Sequence, residues 1–189
     1  MGMPAVQSHR WTADEVRALP DVPGQRYECV DGELLVSPGP RVPHQYAVGF
    51  LLVALSKYCA ATGAGAVLMG PGELELDTFT LVQPDVFVVP LIDGKRPLSQ
   101  QEFGNARLII EVLSPSTARF DRLVKRQRYQ RQEVELWIVD LDSRLVERWA
   151  PDDDRPEILT DIVTWHPEGT GQPLTISLAE LFAEALGEA

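Results

Sequence analysis

Apolar runs bounded by proline, glycine or short charged turns set out the elements of this chain. Gln83-Pro84-Asp85-Val86-Phe87-Val88-Val89 and Arg107-Leu108-Ile109-Ile110-Glu111-Val112-Leu113 are apolar at both parities, the pattern of strands covered on both faces. Val134–Asp140 and Leu145–Trp149 read as two further strands around the turn Asp142-Ser143. Tyr27-Glu28-Cys29-Val30 and Glu33-Leu34-Leu35-Val36 flank Asp31-Gly32, a strong short-range hairpin signal. Ala64–Met69 and Glu73–Asp77 predict short strands on either side of Gly70-Pro71-Gly72, with a loop from Pro90 to Gly104 and a weak strand near Thr160–Thr164.

Helical signals alternate with these runs. Thr12-Ala13-Asp14-Glu15 has the form of a capping box, so a short helix is expected before Pro20. Pro43 to Ala61 predicts a long helix with proline at its start and Gly63 just beyond its end, and its near-continuous hydrophobicity predicts burial. Ser116 or Thr117 can cap a basic helix that runs to about Gln132. At 3.6 residues per turn, Phe120, Leu123 and Val124 share a face expected to pack on the sheet, while Arg122, Lys125, Arg126 and Tyr129 gather on the other. A short helix from Ser177 closes the chain. This order predicts an α/β (α+β) fold: a mixed central sheet flanked by helices on both faces, with an N-terminal helix and β-hairpin.

Composition narrows the picture. The 189 residues fit one domain spanning 1–189, with residues 1–10 and 187–189 expected as flexible ends. Apolar residues make up 44% and charged residues 24%, a globular profile. Cys29 and Cys59 form no CxxC pair, so neither a zinc site nor a disulfide framework is indicated. Met1 to Arg10 lacks a signal-peptide core, and Val48–Leu55 is far too short for a bilayer span, so the reading is a cytoplasmic protein with no membrane association. The net charge of −11 opposes indiscriminate binding to phosphate backbones. That charge is uneven: the segment Arg119–Arg131 carries +5, leaving −16 for the rest.

Glu111 is the one acid in its apolar strand, and a carboxylate there needs a compensating base, proton or metal ion. Asp85 opens the preceding apolar strand, and if the two strands are neighbours the carboxylates can face one another across roughly 5 Å. Two carboxylates that close repel unless a hard cation sits between them. Mg2+ suits, since it takes one or two carboxylates with waters and a phosphate oxygen. The alternative pairs Glu111 with an arginine of the next helix and leaves Asp85 capping a strand. Lys125 lies far enough along the basic helix to return over the sheet toward Glu111, where an ammonium would stabilise charge building on a phosphate. The bland alternative is a solvated basic face.

Tyr27-Glu28…Asp31-Gly32-Glu33, Pro43-His44-Gln45, Gln83-Pro84-Asp85-Val86, Ile110-Glu111-Val112-Leu113-Ser114-Pro115-Ser116-Thr117, Asp121…Lys125…Tyr129 and Glu135-Leu136-Trp137-Ile138-Val139-Asp140 occur in order over most of the chain. Together they resemble the Uma-type endonuclease family of the restriction-endonuclease-like PD-(D/E)xK superfamily. The resemblance implies a restriction-endonuclease-like core and hydrolysis of DNA phosphodiester bonds, with Asp85 and Glu111 binding Mg2+ (Mn2+ as a substitute). The lysine expected two residues after Glu111 is replaced by Leu113, and the resemblance offers Lys125 in its stead. It also implies an extra carboxylate from Glu28 or Glu33, a cleft role for His44, and a homodimer. Tyr129, one turn from Lys125, could orient it or simply pack. Arg119, Arg122 and Arg126 are assigned to the DNA backbone. Gln132-Glu133-Val134 stands where the family usually has a glycine, and only a local change is expected. The rival reading is a catalytically silent DNA- or partner-binding domain on the same fold.

Overall fold

In a computed structural model, residues 9–188 are described; the expectations for residues 1–8 and 189 lie outside them. A six-stranded mixed sheet forms the centre, in the order β10 (Glu157–Leu159), β9 (Leu145–Trp149), β8 (Glu135–Asp140), β7 (Leu108–Val112), β6 (Val86–Val89), β3 (Ala66–Met69). β7 and β8 run parallel, joined by a helical crossover, and the other pairs are antiparallel. β6, β7 and nearly all of β8 are buried at both parities, as their unbroken apolar runs require.

One face of that sheet packs on α2 (Val42–Thr62) and α5 (Leu178–Leu186) through Leu51, Leu55, Val88, Ile110, Trp137 and Leu181. The opposite face, with Phe87, Ile109, Leu136 and Ile138, meets Tyr129 and a second sheet. This second sheet has the order β2 (Glu33–Pro38), β1 (Gln25–Val30), β5 (Thr80–Val82), β4 (Leu74–Asp77). Asp31 and Gly32 have φ of 55° and 87°, so a hairpin turn with both central residues left-handed joins β1 to β2. α1 (Ala13–Arg17) starts on the expected capping box: Glu15 N donates to Thr12 Oγ1 at 3.2 Å and Thr12 N to Glu15 Oε2 at 2.8 Å. β11 (Ile162–Trp165) and β12 (Leu174–Ser177) form a separate pair leading into α5.

The basic crossover departs from the α-helical expectation. α3 (Ala118–Phe120) passes into a π-helical turn, Asp121–Lys125, and then into α4 (Arg126–Gln130). The wider winding rephases the element, so Leu123 is 49% exposed rather than packed on the sheet. Asp121, Lys125, Arg128 and Tyr129 are buried in its place. Phe120 and Val124 still pack against the core. Thr117 precedes the helix without a side-chain capping bond; its Oγ1 lies 3.0 Å from Ser114 Oγ. Glu133, in the turn that leads into β8, takes the left-handed φ of 56°.

Candidate active site

Strand register brings the two predicted carboxylates together. Val86 faces Ile110 in the antiparallel β6–β7 pair, and one further step sets Asp85 against Glu111. Both side chains line one cleft of about 420 Å³ at the end of the sheet. Asp85 is fixed from three directions: Oδ2 accepts from Val112 N at 2.8 Å and from His44 Nε2 at 3.0 Å, while Arg26 Nη1 reaches Oδ1 at 3.2 Å. Burial alone would raise the Asp85 carboxyl, but His44, Arg26 and the Val112 amide hold it below its usual range. A carboxylate only accepts, so His44 Nε2 carries the proton in that bond, and the buried Nδ1 has no hydrogen-bond partner among the described residues.

Glu111 stands at the centre of the helix-facing contacts. Tyr129 Oη donates to its Oε1 at 2.7 Å, and Lys125 Nζ lies 3.3 Å from the same oxygen. Tyr129 thus orients Glu111; no bond to Lys125 accompanies it. Lys125 Nζ also approaches Glu28 Oε1 at 2.8 Å and Asp121 Oδ1 at 3.5 Å. Burial opposes the charge on Lys125, yet Glu111, Glu28 and Asp121 outweigh it and push its pKa up. Burial pushes the Glu111 carboxyl up to about 8, with Lys125 opposing and Asp121, Asp85 and Glu28 adding to the rise. Asp121 is raised chiefly by the same desolvation.

Glu28 therefore joins the cleft, whereas Glu33 is exposed beyond the hairpin turn and does not line it. The predicted DNA-contacting arginines are placed differently from one another. Arg122 pairs with Glu147 at 2.6 Å and Asp140 at 2.8 Å, and Arg126 stacks on Trp149 with its guanidinium carbon 4.3 Å from the ring centre. Arg119 is exposed. The arginines that line the cleft are Arg26 and Arg41, which carried no role in the sequence reading, and Asp121 is a further acid that it left unassigned. Asp121 had a usable signal, four residues before Lys125 on one helix; Arg26, in a strand of mixed polarity, had none.

The family model described as Uma2, putative restriction endonuclease, matches residues 13–183. The chain belongs to the Uma2 family. No curated protein matches this Uma2 chain. Among solved structures, a crystal structure described as a putative nuclease belonging to DUF820, from Anabaena variabilis, superposes with a TM-score of 0.75 at 17% identity, over 93% of this chain and 99% of that one. The Uma2 chain thus shares that protein's mixed α/β fold.

Whether a divalent cation suits these residues can be judged from their charges. Four buried carboxylates, Glu28, Asp85, Glu111 and Asp121, meet the paired cations Arg26 and Lys125; with all four acids ionised and His44 neutral the excess is two negative charges, which a divalent cation would balance. Asp121 Oδ1 has no hydrogen-bond partner among the described residues. Among those residues no group of three or more His, Cys, Asp or Glu side chains stands at metal-binding spacing. Two opposed carboxylates with open coordination left for water and phosphate match Mg2+ chemistry. The donors fit. No helix among the described residues is long and apolar enough to cross a membrane.

Proposed function

We propose that this chain is a metal-dependent nuclease that hydrolyses DNA phosphodiester bonds, with Asp85 and Glu111 as ligands for Mg2+ and Lys125 assisting. The observation that carries this reading is the meeting of Asp85, Glu111 and Lys125 in one cleft with more carboxylate than paired cation. Its departure from the PD-(D/E)xK spacing fits the same reading, since Lys125 from the helix reaches the acid that Leu113 cannot serve.

Mg2+, when bound, supplies Lewis acidity toward a phosphoryl oxygen and water. The chain's own groups do the rest. Arg26, His44 and the Val112 amide keep Asp85 ionised and oriented, so its charge is available at neutral pH. Tyr129 fixes one oxygen of Glu111. Lys125, hemmed in by carboxylates, stays an ammonium through neutral pH, so it acts by charge and not as a base. Arg41, exposed at the cleft mouth, is placed to meet a phosphate.

The test incubates supercoiled plasmid with Mg2+ or Mn2+ and the wild type, Asp85→Ala, Glu111→Ala or Lys125→Ala proteins. Nicking by wild type and a loss of about 100-fold or more in each variant supports the reading. Salt-sensitive retention of DNA with no cleavage by any protein overturns it in favour of a silent binding domain.

A further inference from the structure

Beside the carboxylate cleft lies a second cavity of about 320 Å³, at the low end of the range that holds a small ligand, roughly 300–1,000 Å³. The two cavities share Arg26, Pro40, His44 and Asp85, so the wall behind the Asp85 carboxylate is also the wall of its neighbour. Their characters differ. The second is walled mainly by Val48, Leu52, Met69 and the bare backbone of Gly49, with Gln45 as its uncharged polar group.

Gly49 is the unexpected member. It sits in the interior of the 21-residue α2, where glycine is the poorest non-proline residue. A Cβ added there would meet nothing within 4 Å, so no close packing demands its absence. The helix surface is therefore open at Gly49, which leaves the cavity room for a flat group laid against the helix. Met69, 47% exposed at the cavity edge, offers a polarisable thioether of the kind that lies well against an aromatic ring. Gln45 offers donors and an acceptor to the edge of such a ring.

We infer that this cavity is a nucleobase subsite: it takes an unpaired base next to the phosphodiester held over Asp85 and Glu111, and so directs the chain toward single-stranded or locally unpaired DNA. The position beside a scissile bond rests on the nuclease reading above. Charge points the same way. A body of net charge −11, with Arg122 and Arg126 engaged internally, is poorly equipped to neutralise a long run of duplex phosphates. Base stacking in an apolar recess supplies affinity without such a track, and a base reaches it only when out of the helical stack.

The experiment separates this inference from the nuclease reading. Fluorescence anisotropy in metal-free buffer compares a short oligothymidylate with an abasic chain of the same phosphate count, using wild type, Gly49→Ala and Gly49→Leu. Wild type is expected to hold the base-bearing chain about tenfold more tightly. Gly49→Leu fills the cavity and is expected to reduce that preference to under about twofold. Gly49→Ala adds one methyl and keeps much of it. Both variants should melt no lower than wild type, which excludes misfolding as the cause. Equal affinity for the two chains, or an unchanged preference in Gly49→Leu, overturns the inference. So does a dimer in solution that Gly49→Leu converts to monomer, since the cavity would then serve self-association. Metal-dependent cutting of duplex and single strand at equal rates also overturns it while leaving the nuclease reading intact. Base-dependent binding with no cutting sustains the subsite and sinks the nuclease.

Discussion

Lys125 Nζ stands 2.8 Å from Glu28 Oε1, closer than to Glu111, so the ammonium over the cleft is shared between the hairpin sheet and the central sheet. Both side chains are buried. The lysine is consequently a structural keystone as well as a candidate for chemistry. Lys125→Met should destabilise the metal-free protein by about 3–5 kcal/mol, because three buried carboxylates lose their common partner. Urea denaturation with and without Mg2+ checks this. A bound divalent ion should recover part of the loss, and a variant as stable as wild type would contradict the shared-ammonium geometry.

Stability should also respond to pH in a direction set by Glu111. Its folded carboxyl is raised to about 8 from an ordinary value of 4.5. A raised acid lends stability that is full below its unfolded pKa and lost as pH climbs through the folded one. Asp85 acts oppositely, its lowered pKa giving stability above the ordinary 3.8 that falls away in acid. The metal-free protein should therefore melt highest near pH 5 and lose a few degrees toward pH 9. Mg2+ should raise the melting temperature more at pH 8 than at pH 5, since it favours the ionised Glu111. Calorimetry at the two pH values, with and without the ion, reads the effect.

Leu123 tests the π-helical turn. Were the crossover ordinary α-helix with this leucine against the sheet, Leu123→Ala would cost about 2–5 kcal/mol. At 49% exposure it should cost under about 1 kcal/mol. Chemical denaturation distinguishes the two plainly.

Glu133 should be improvable. Its φ of 56° is left-handed, a conformation that side chains resist and glycine accepts. Glu133→Gly is expected to stabilise the fold by about 1 kcal/mol. A lower melting temperature in this variant would mean that the glutamate makes compensating contacts.

Much of the fold was readable because the decisive segments are long or chemically sharp. Asp31-Gly32 announced its hairpin through one of the few dipeptides suited to two left-handed residues. Glu111 stood out as a lone acid in a strand apolar on both sides, and Thr12 with Glu15 marked the first helix start. β5, β10 and β12 went unpredicted, being three or four residues long and too short to show alternation. The phase of the basic crossover was misread because the 3.6-residue period was assumed throughout, and nothing in Asp121–Lys125 signals wider winding. Arg26 could not be singled out, since its value comes from the register that places it over Asp85, a relationship between distant strands.

The second sheet has an implication for how the protein comes into being. It is stitched from β1 and β2 ahead of α2 and from β4 and β5 behind it, and Glu28 within it waits for a lysine supplied only after β7. Contacts between such distant segments come late in folding, since the intervening loop must first be closed. A nascent chain halted before Lys125 would leave Glu28 and Glu111 without their shared ammonium and could not complete the cleft. Completion of the cleft is thus tied to synthesis of the crossover, well past Glu28, Asp85 and Glu111.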